Sequence, residues 1–341
     1  MKILGIETSC DETAAAIAEH KNGKIKILSD IVSSQIEIHK KYGGVVPEVA
    51  AREHVLNILP VINEALEKAK IKKSEAPKKI DCIAVTIGPG LVTSLIAGIE
   101  TAKTLSYIWN VPVVGINHIE GHIRANFIGD YGKIKFPALV LTVSGGHTLL
   151  ALMKKNGKIE TIGETRDDAA GEAFDKSAKL MEIGYPGGPI ISEYAKRAKK
   201  NITKLPRPML DSPNFDFSFS GLKTALRYAL QKDKLWKNKI PEYCAELQQA
   251  VIDVLIHKTI NASKKYKAKT IMLSGGVSAN RELRAQLSSA VKKSDIEFVM
   301  PDLAYTTDNA AMIAAAGCFK THNKKFADWR KLKVDCCLAL N

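Results

Sequence analysis

The chain has 341 residues, 45% hydrophobic and 25% charged, with a formal net charge of +14. That is enough apolar material for two cores of ordinary size and too much for a disordered chain. The richest apolar run, Ile83 to Ile99, is interrupted by Gly88-Pro89-Gly90, which argues against a membrane span, and six cysteines without C-x-x-C spacing argue against a thiolate zinc site or a disulfide framework.

The N-terminal Met1-Lys2-Ile3-Leu4-Gly5-Ile6-Glu7 enters a strand at once, with no basic-then-apolar leader, so a soluble cytoplasmic protein is expected, with no membrane partner. Lysines cluster through Lys68–Lys79, Lys196–Lys204 and Lys320–Lys333. Such a surface attracts a polyanion such as RNA through its phosphates. It is equally the solvated helix surface of a lysine-rich chain, and the 6% of aromatics form no interleaved RNA-binding pattern.

In chain order, residues 2–8, 13–18 and 25–33 read as three strands, with the polar turn Glu7-Thr8-Ser9-Cys10-Asp11-Glu12-Thr13 between the first two. The loop Tyr42-Gly43-Gly44-Val45-Val46-Pro47 leads into a helix over 48–70, its apolar positions being Val49, Val55, Leu59, Ile62 and Leu66. Glu53 and His54 of that helix are expected on the surface. A strand over 80–87, a glycine loop and a helix to Trp109 follow, then a strand over 111–116.

That last strand delivers His118-Ile119-Glu120-Gly121-His122. Histidines four apart share one helical face, close enough to bind one metal ion. The same spacing also suits an ordinary helix with one buried and one exposed histidine.

The grammar then repeats. Strands are predicted over 136–143, 149–154 and 158–163, helices over 169–181, 188–199, 221–230 and 241–265, a strand over 270–274, a helix from Ser278, a strand over 297–300 and a helix after Asp308. Three strands with a polar hairpin followed by alternating helix and strand give an α/β fold with mixed sheets. The turns Ser144-Gly145-Gly146 and Ser274-Gly275-Gly276 are either plain tight turns or phosphate cradles.

Eight motifs occur in order. They are Gly5-Ile6-Glu7-Thr8-Ser9-Cys10-Asp11-Glu12-Thr13, Gly43-Gly44-Val45-Val46-Pro47-Glu48, His118-Ile119-Glu120-Gly121-His122, Val143-Ser144-Gly145-Gly146-His147-Thr148, the stretch Asp167 to Lys176, the stretch Asp216 to Thr224, Ser274-Gly275-Gly276-Val277-Ser278-Ala279-Asn280, and Thr307-Asp308-Asn309. Together, from Lys2 to about Phe319, they resemble the TsaD family, once taken for O-sialoglycoprotein endopeptidases. The HIEGH and DDAAGEAFDK stretches are similar to its bacterial and organellar branch.

The resemblance implies an actin-like ATPase (ASKHA) fold of two RNase H-like domains around a central cleft. The expected boundaries are 1–130 and 131–305, with a helical insertion at 165–265 and a C-terminal helical segment at 306–341 assigned to the first domain. It implies transfer of the threonylcarbamoyl group from threonylcarbamoyl-AMP to N6 of the adenosine just 3′ of the anticodon, in tRNAs reading codons that begin with A. It further implies one divalent metal per subunit, Fe2+ or Zn2+, on His118, His122 and Asp308, and substrate contacts at Thr142, Val143, Ser144, Gly145, Gly146, Asp175, Gly188 and Asn280. Implied partners are tRNA, TsaB-like and TsaE-like proteins, and a TsaC-like enzyme that makes the donor. The mitochondrial form dispenses with the first two proteins.

Each position also has an ordinary structural reading: Asp308 as a helix N-cap, Asp175 as a surface carboxylate, Gly188 as a turn glycine. Asp11 and Glu12 are candidate catalytic bases for the N6 proton, or residues that merely orient the first turn. The glutamate of H-I-E-G-H is misplaced for a zinc protease, and the P-C-x-x-C half of a deaminase is missing. An actin-like-fold ATPase or small-molecule kinase is the principal alternative.

Overall fold

A computed structural model describes residues 1–199, 204–322 and 326–340. Residues 200–203 and 323–325, parts of two lysine clusters, lie outside the described residues. The chain divides into two compact units, Met1–Lys133 with Pro301–Leu340, and Ile134–Met300.

The first unit opens with β1 (Lys2–Glu7), β2 (Glu12–Lys21) and β3 (Lys24–Ser34), a meander with antiparallel pairings. After a single turn α1 (Ile36–His39) come α2 (Pro47–Lys68), a second short turn α3 (Ala76–Lys79), β4 (Cys82–Gly88), α4 (Val92–Trp109), β5 (Val113–Asn117) and α5 (His118–Arg124). The sheet order is β3-β2-β1-β4-β5, with β1, β4 and β5 parallel.

The second unit repeats this plan. Its strands are β6 (Ala138–Val143), β7 (Thr148–Met153) and β8 (Ile159–Glu164). Helices α6 (Ala170–Leu180), α7 (Gly187–Ala195), α8 (Ser220–Lys232) and α9 (Ile240–Lys265) precede β9 (Thr270–Ser274). A 3-10 turn at Gly276–Ala279, then α10 (Arg281–Val291) and β10 (Glu297–Val299), complete it. Helix therefore starts at Arg281 rather than Ser278, because Asn280 is the capping residue. The order β10-β9-β6-β7-β8 reproduces the first sheet, strand for strand and direction for direction.

Helix α11 (Ala310–His322) belongs to the first unit and covers one face of its sheet through Met312, Ile313 and a run of alanines against Ile3, Ala84, Val114 and Ile116. It lies so close that a Cβ on Gly5 would sit 2.4 Å from the Ala310 carbonyl oxygen. The opposite face holds Leu4, Ile6, Ile17 and Val85 against α2 and α4.

Helix α2 meets that face through Ala50, His54, Ile58, Val61, Ile62, Ala65 and Leu66. Val55, Leu56 and Leu59 are 57–68% exposed. The expected apolar face is thus rotated, and His54, expected outside, is buried. Its Nδ1 lies 2.8 Å from the Thr13 hydroxyl and its Nε2 donates to the Cys10 carbonyl at 3.0 Å, so the ring ties α2 to the first turn. Among the described residues no helix is long and apolar enough to cross a membrane.

Candidate metal centre

In the first unit the parallel strands β1, β4 and β5 end together, the side of an open sheet where α/β proteins place their ligands. The register Ile6↔Val85 brings Thr86 beside Glu7, and Thr86↔Ile116 brings β5 into line. Asn117 then caps α5, its side-chain oxygen accepting from Ile119 N at 2.8 Å and Glu120 N at 3.2 Å. Helix therefore begins at His118, and His122 falls one turn later on the same face. The imidazole centroids are 4.7 Å apart with ring planes at 80°.

Asp308 completes the group. Its Oδ1 is 3.1 Å from His122 Nε2 and 3.6 Å from His118 Nε2. One ligand atom from each of the three lies within 4.8 Å of the others. The N-cap reading of Asp308 is corrected: Asn309 performs that task, its Oδ1 accepting Met312 N at 2.9 Å. Asp30 on β3 adds a second acceptor for the amide of Ala311 at 3.2 Å.

The trio fits a divalent cation on three grounds. Both ring nitrogens of His122 are buried and make no hydrogen bond, Nε2 meeting only the Asp308 carboxylate as an ion-pair contact, as befits a ring whose donor atom serves something else. Two imidazoles and one carboxylate, with Asp308 partly open to solvent, form a set with free positions that suits Zn2+ or Fe2+. The surroundings are also acidic. Burial works against charge on His118, yet Asp308 and Glu7 lift it to about 9. Burial, then Asp308 and Asp11, push the Glu12 carboxyl well above its ordinary range. Burial, followed by Asp11, Asp308 and Glu12, does the same to the Cys10 thiol. The pocket favours positive charge wherever it can hold it.

Of the two proposed bases, Asp11 is buried and Glu12 half-buried at the start of β2, where the Ser34 hydroxyl donates to Glu12 at 3.3 Å. Glu120, the glutamate between the histidines, pairs instead with Arg124 at 3.5 Å and Lys320 at 3.8 Å.

The remaining predicted residues converge within the second unit. Thr142 and Val143 end β6 beside β9, and the Thr142 and Ser274 hydroxyls are 2.9 Å apart. The turn Ser144-Gly145-Gly146 follows, its two glycines exposed. It is stapled to the start of α6, where Gly171 N and Glu172 N donate to the carbonyls of Ser144 and Gly145. Asp175 accepts Gly187 N at 2.7 Å. The close backbone approach is at Gly187, whose Cβ would meet the Phe174 carbonyl at 2.5 Å, whereas Gly188 faces open space. Asn280 caps α10 through Leu283 N at 3.0 Å and donates to Ser192 and Gln248, each at 2.9 Å.

A sequence model of the TsaD family, tRNA N6-adenosine threonylcarbamoyltransferase, matches residues 26–315. The chain belongs to the TsaD family. Curated TsaD proteins include one from Bacillus subtilis (strain 168), 53% identical over 320 residues, covering 93% of this chain and 90% of the relative. One from Thermosipho melanesiensis is 48% identical over 342 residues and covers both chains completely. Both bear the name tRNA N6-adenosine threonylcarbamoyltransferase, so this TsaD chain is a transferase of tRNA modification. Among solved structures, the activator of the 2-hydroxyisocaproyl-CoA dehydratase from Clostridium difficile superposes with a TM-score of 0.53 at 15% identity, covering 96% of this chain and 99% of that one. HypF from T. kodakarensis gives 0.58 at 12% identity, covering 98% and 49%. At such identities these likenesses speak for the shared actin-like fold alone.

The sequence reading missed Glu7. It ends β1 fully buried, accepts the amide of Ser9 at 2.5 Å and the hydroxyl of Thr86 at 2.6 Å, and lies 3.1 Å from His118 Nδ1. The available signal was an acidic residue continuing an apolar strand.

Proposed function

We propose that this TsaD chain takes threonylcarbamoyl-AMP as donor and holds one Fe2+ or Zn2+ on His118, His122 and Asp308. The observation that carries the reading is the convergence of two buried histidines and the half-buried Asp308 on one point, with no hydrogen bond to either ring nitrogen of His122. The acceptor is N6 of the adenosine 3′ to the anticodon. N6 attacks the donor's carbamoyl carbon, the bond from that carbon to the phosphate oxygen breaks, and AMP departs with the electron pair. The metal would act as a Lewis acid for charge developing on the donor's carbonyl.

An aromatic amine is a weak nucleophile, so much of the acceleration rests on positioning and on taking up the N6 proton. Glu12 is the proposed acceptor, with Asp11 as its neighbour. The exposed Gly145 and Gly146 are proposed to offer backbone N–H groups to the donor's phosphate, with Thr142, Val143 and Ser144 fixing the turn. Asp175 and Gly188 are proposed to meet the nucleoside part. Asn280 spends both of its side-chain N–H donors internally and caps α10 with its oxygen, so its proposed contribution is to hold the α10 N-terminus towards the donor's phosphate.

The chain is proposed to act in the cytoplasm with TsaB-like and TsaE-like proteins and a TsaC-like donor source. Support for a protein partner is the exposed row Val55, Leu56 and Leu59 on α2.

The test is incorporation of labelled threonine into unmodified tRNA with a TsaC-like enzyme, ATP and bicarbonate, with and without the two partners. Label in wild type and its loss in His118→Ala, with nucleotide binding intact, is expected. Full turnover in that variant would refute the metal role.

A further inference from the structure

We infer that Glu7 is a positioning residue that fixes the tautomer and orientation of His118, so that Nε2 is the nitrogen presented to the metal. This rests on the reading of His118, His122 and Asp308 as metal ligands.

The geometry is one-sided. Glu7 Oε2 lies 3.1 Å from His118 Nδ1, while His118 Nε2 faces Asp308 at 3.6 Å. An ionised carboxylate only accepts hydrogen bonds, so the nitrogen that meets it bears the proton. In neutral imidazole the other nitrogen is then the donor atom available to a cation. Ser9 Oγ, also 3.1 Å from Nδ1, is a hydroxyl that accepts as readily as it donates and does not disturb this assignment.

Glu7 is itself held. Its Oε1 accepts from the Ser9 amide, its Oε2 from Thr86 Oγ1, and it has no exposed surface. Burying a carboxylate is costly unless it is paired. Nothing in the strand needs an acid there, since the residues before it on the same face are Ile3 and Gly5, packed under α11. The arrangement is a carboxylate–histidine couple behind a metal ligand, with the ligand's ring buried and its rotation fixed by hydrogen bonds on one edge. His122 has no such support on Nδ1, so the two histidines are unequal: only His118 has an acid behind the nitrogen that faces away from Asp308.

The experiment titrates Zn2+ into the metal-stripped full-length chain by calorimetry, for wild type, Glu7→Gln, Glu7→Asp, Thr86→Val and His118→Ala. Glu7→Gln is expected to weaken Zn2+ binding by about 10–100-fold, with partial recovery in Glu7→Asp. Urea unfolding of the metal-free variants checks that the fold is kept. 15N spectra of the Zn2+-loaded chain, in which the His118 ring is neutral, with Nδ1–H and the metal on Nε2 in wild type and a shifted or mixed pattern in Glu7→Gln, give a signature that a merely structural acid would not produce. Unchanged Zn2+ affinity and tautomer in Glu7→Gln, with binding lost in His118→Ala, would overturn the inference and leave the metal reading standing. Unchanged binding in His118→Ala would remove the metal reading first. Should Glu7→Gln fail to fold, Thr86→Val decides. It leaves the acid in place but loosened, and a weakened Zn2+ affinity with a disturbed tautomer is expected, while wild-type values for both would overturn the inference.

Discussion

Asp30 is the sharpest handle on how the metal-bearing segment is held. It sits half-buried on β3 and accepts the Ala311 amide at the start of α11, three residues after Asp308. Burial outweighs the backbone hydrogen bonds from Ala311 and Ala310 and lifts its carboxyl from 3.8 to about 6. The folded chain therefore binds this proton more tightly than the unfolded one. Its contribution to stability is full below about pH 4, falls as pH rises towards 6, and is flat above that. The separation of about two pH units corresponds to about 3 kcal/mol. Asp30→Asn keeps an oxygen for the Ala311 amide and removes the charge. The variant is expected to match wild type within about 1 kcal/mol at about pH 4.5 and to exceed it by about 2–3 kcal/mol at about pH 7.5. Urea unfolding in a Trp236→Phe background reads this, because Trp109 and Trp329 then report on the first unit alone. A gap that is equal at both pH values, or that favours wild type at the higher one, would refute the reasoning.

Other consequences are as direct. Gly5→Ala places a methyl against the Ala310 carbonyl, so α11 must lift; a loss of about 1–3 kcal/mol and weaker Zn2+ binding by calorimetry are expected. His54→Leu removes two bonds to the first turn while keeping bulk, which should cost about 1–3 kcal/mol in thermal or urea unfolding. Leu59→Asp on the exposed row of α2 should change stability by less than about 0.5 kcal/mol, yet abolish stimulation of threonylcarbamoylation by a TsaB-like partner.

Much of this was legible before any coordinates, and the reasons differ by element. The two meanders alternate or run apolar so strongly that β1 to β3 and β6 to β8 could hardly be read otherwise, and α5 announces itself by its histidines. The face of α2 was not legible because its buried line mixes Ala50, His54 and Ala65 with only a few large residues, while its exposed side carries Val55, Leu56 and Leu59. Hydrophobic periodicity counts apolar residues without knowing what each will face. The cap of α11 was ambiguous for another reason. Asp308 and Asn309 are both good cap residues, and only the backbone path decides that Asn309 turns back on Met312. Glu7 escaped because pattern reading treats an acid at a strand end as the start of a loop.

Acids gather at the end of the first sheet. Glu7, Asp11, Glu12 and Asp308 lie around two histidines, and the charge of Asp308 alone acts on Glu7, Cys10, Glu12 and His118. Carboxylates crowded in partly buried surroundings repel one another, as the raised Glu12 carboxyl and the raised His118 show. A divalent ion bound by the folded state and not by the unfolded chain removes that repulsion and adds its own binding energy. At about a hundredfold excess over its dissociation constant, Zn2+ should stabilise the first unit by about 2.7 kcal/mol, or about 5–11 °C in its midpoint. Differential scanning calorimetry of the metal-stripped chain with and without Zn2+ measures this, and His122→Ala should erase the rise. An equal rise in wild type and His122→Ala would mean that the ion is held elsewhere and that the buried histidine pair serves packing alone.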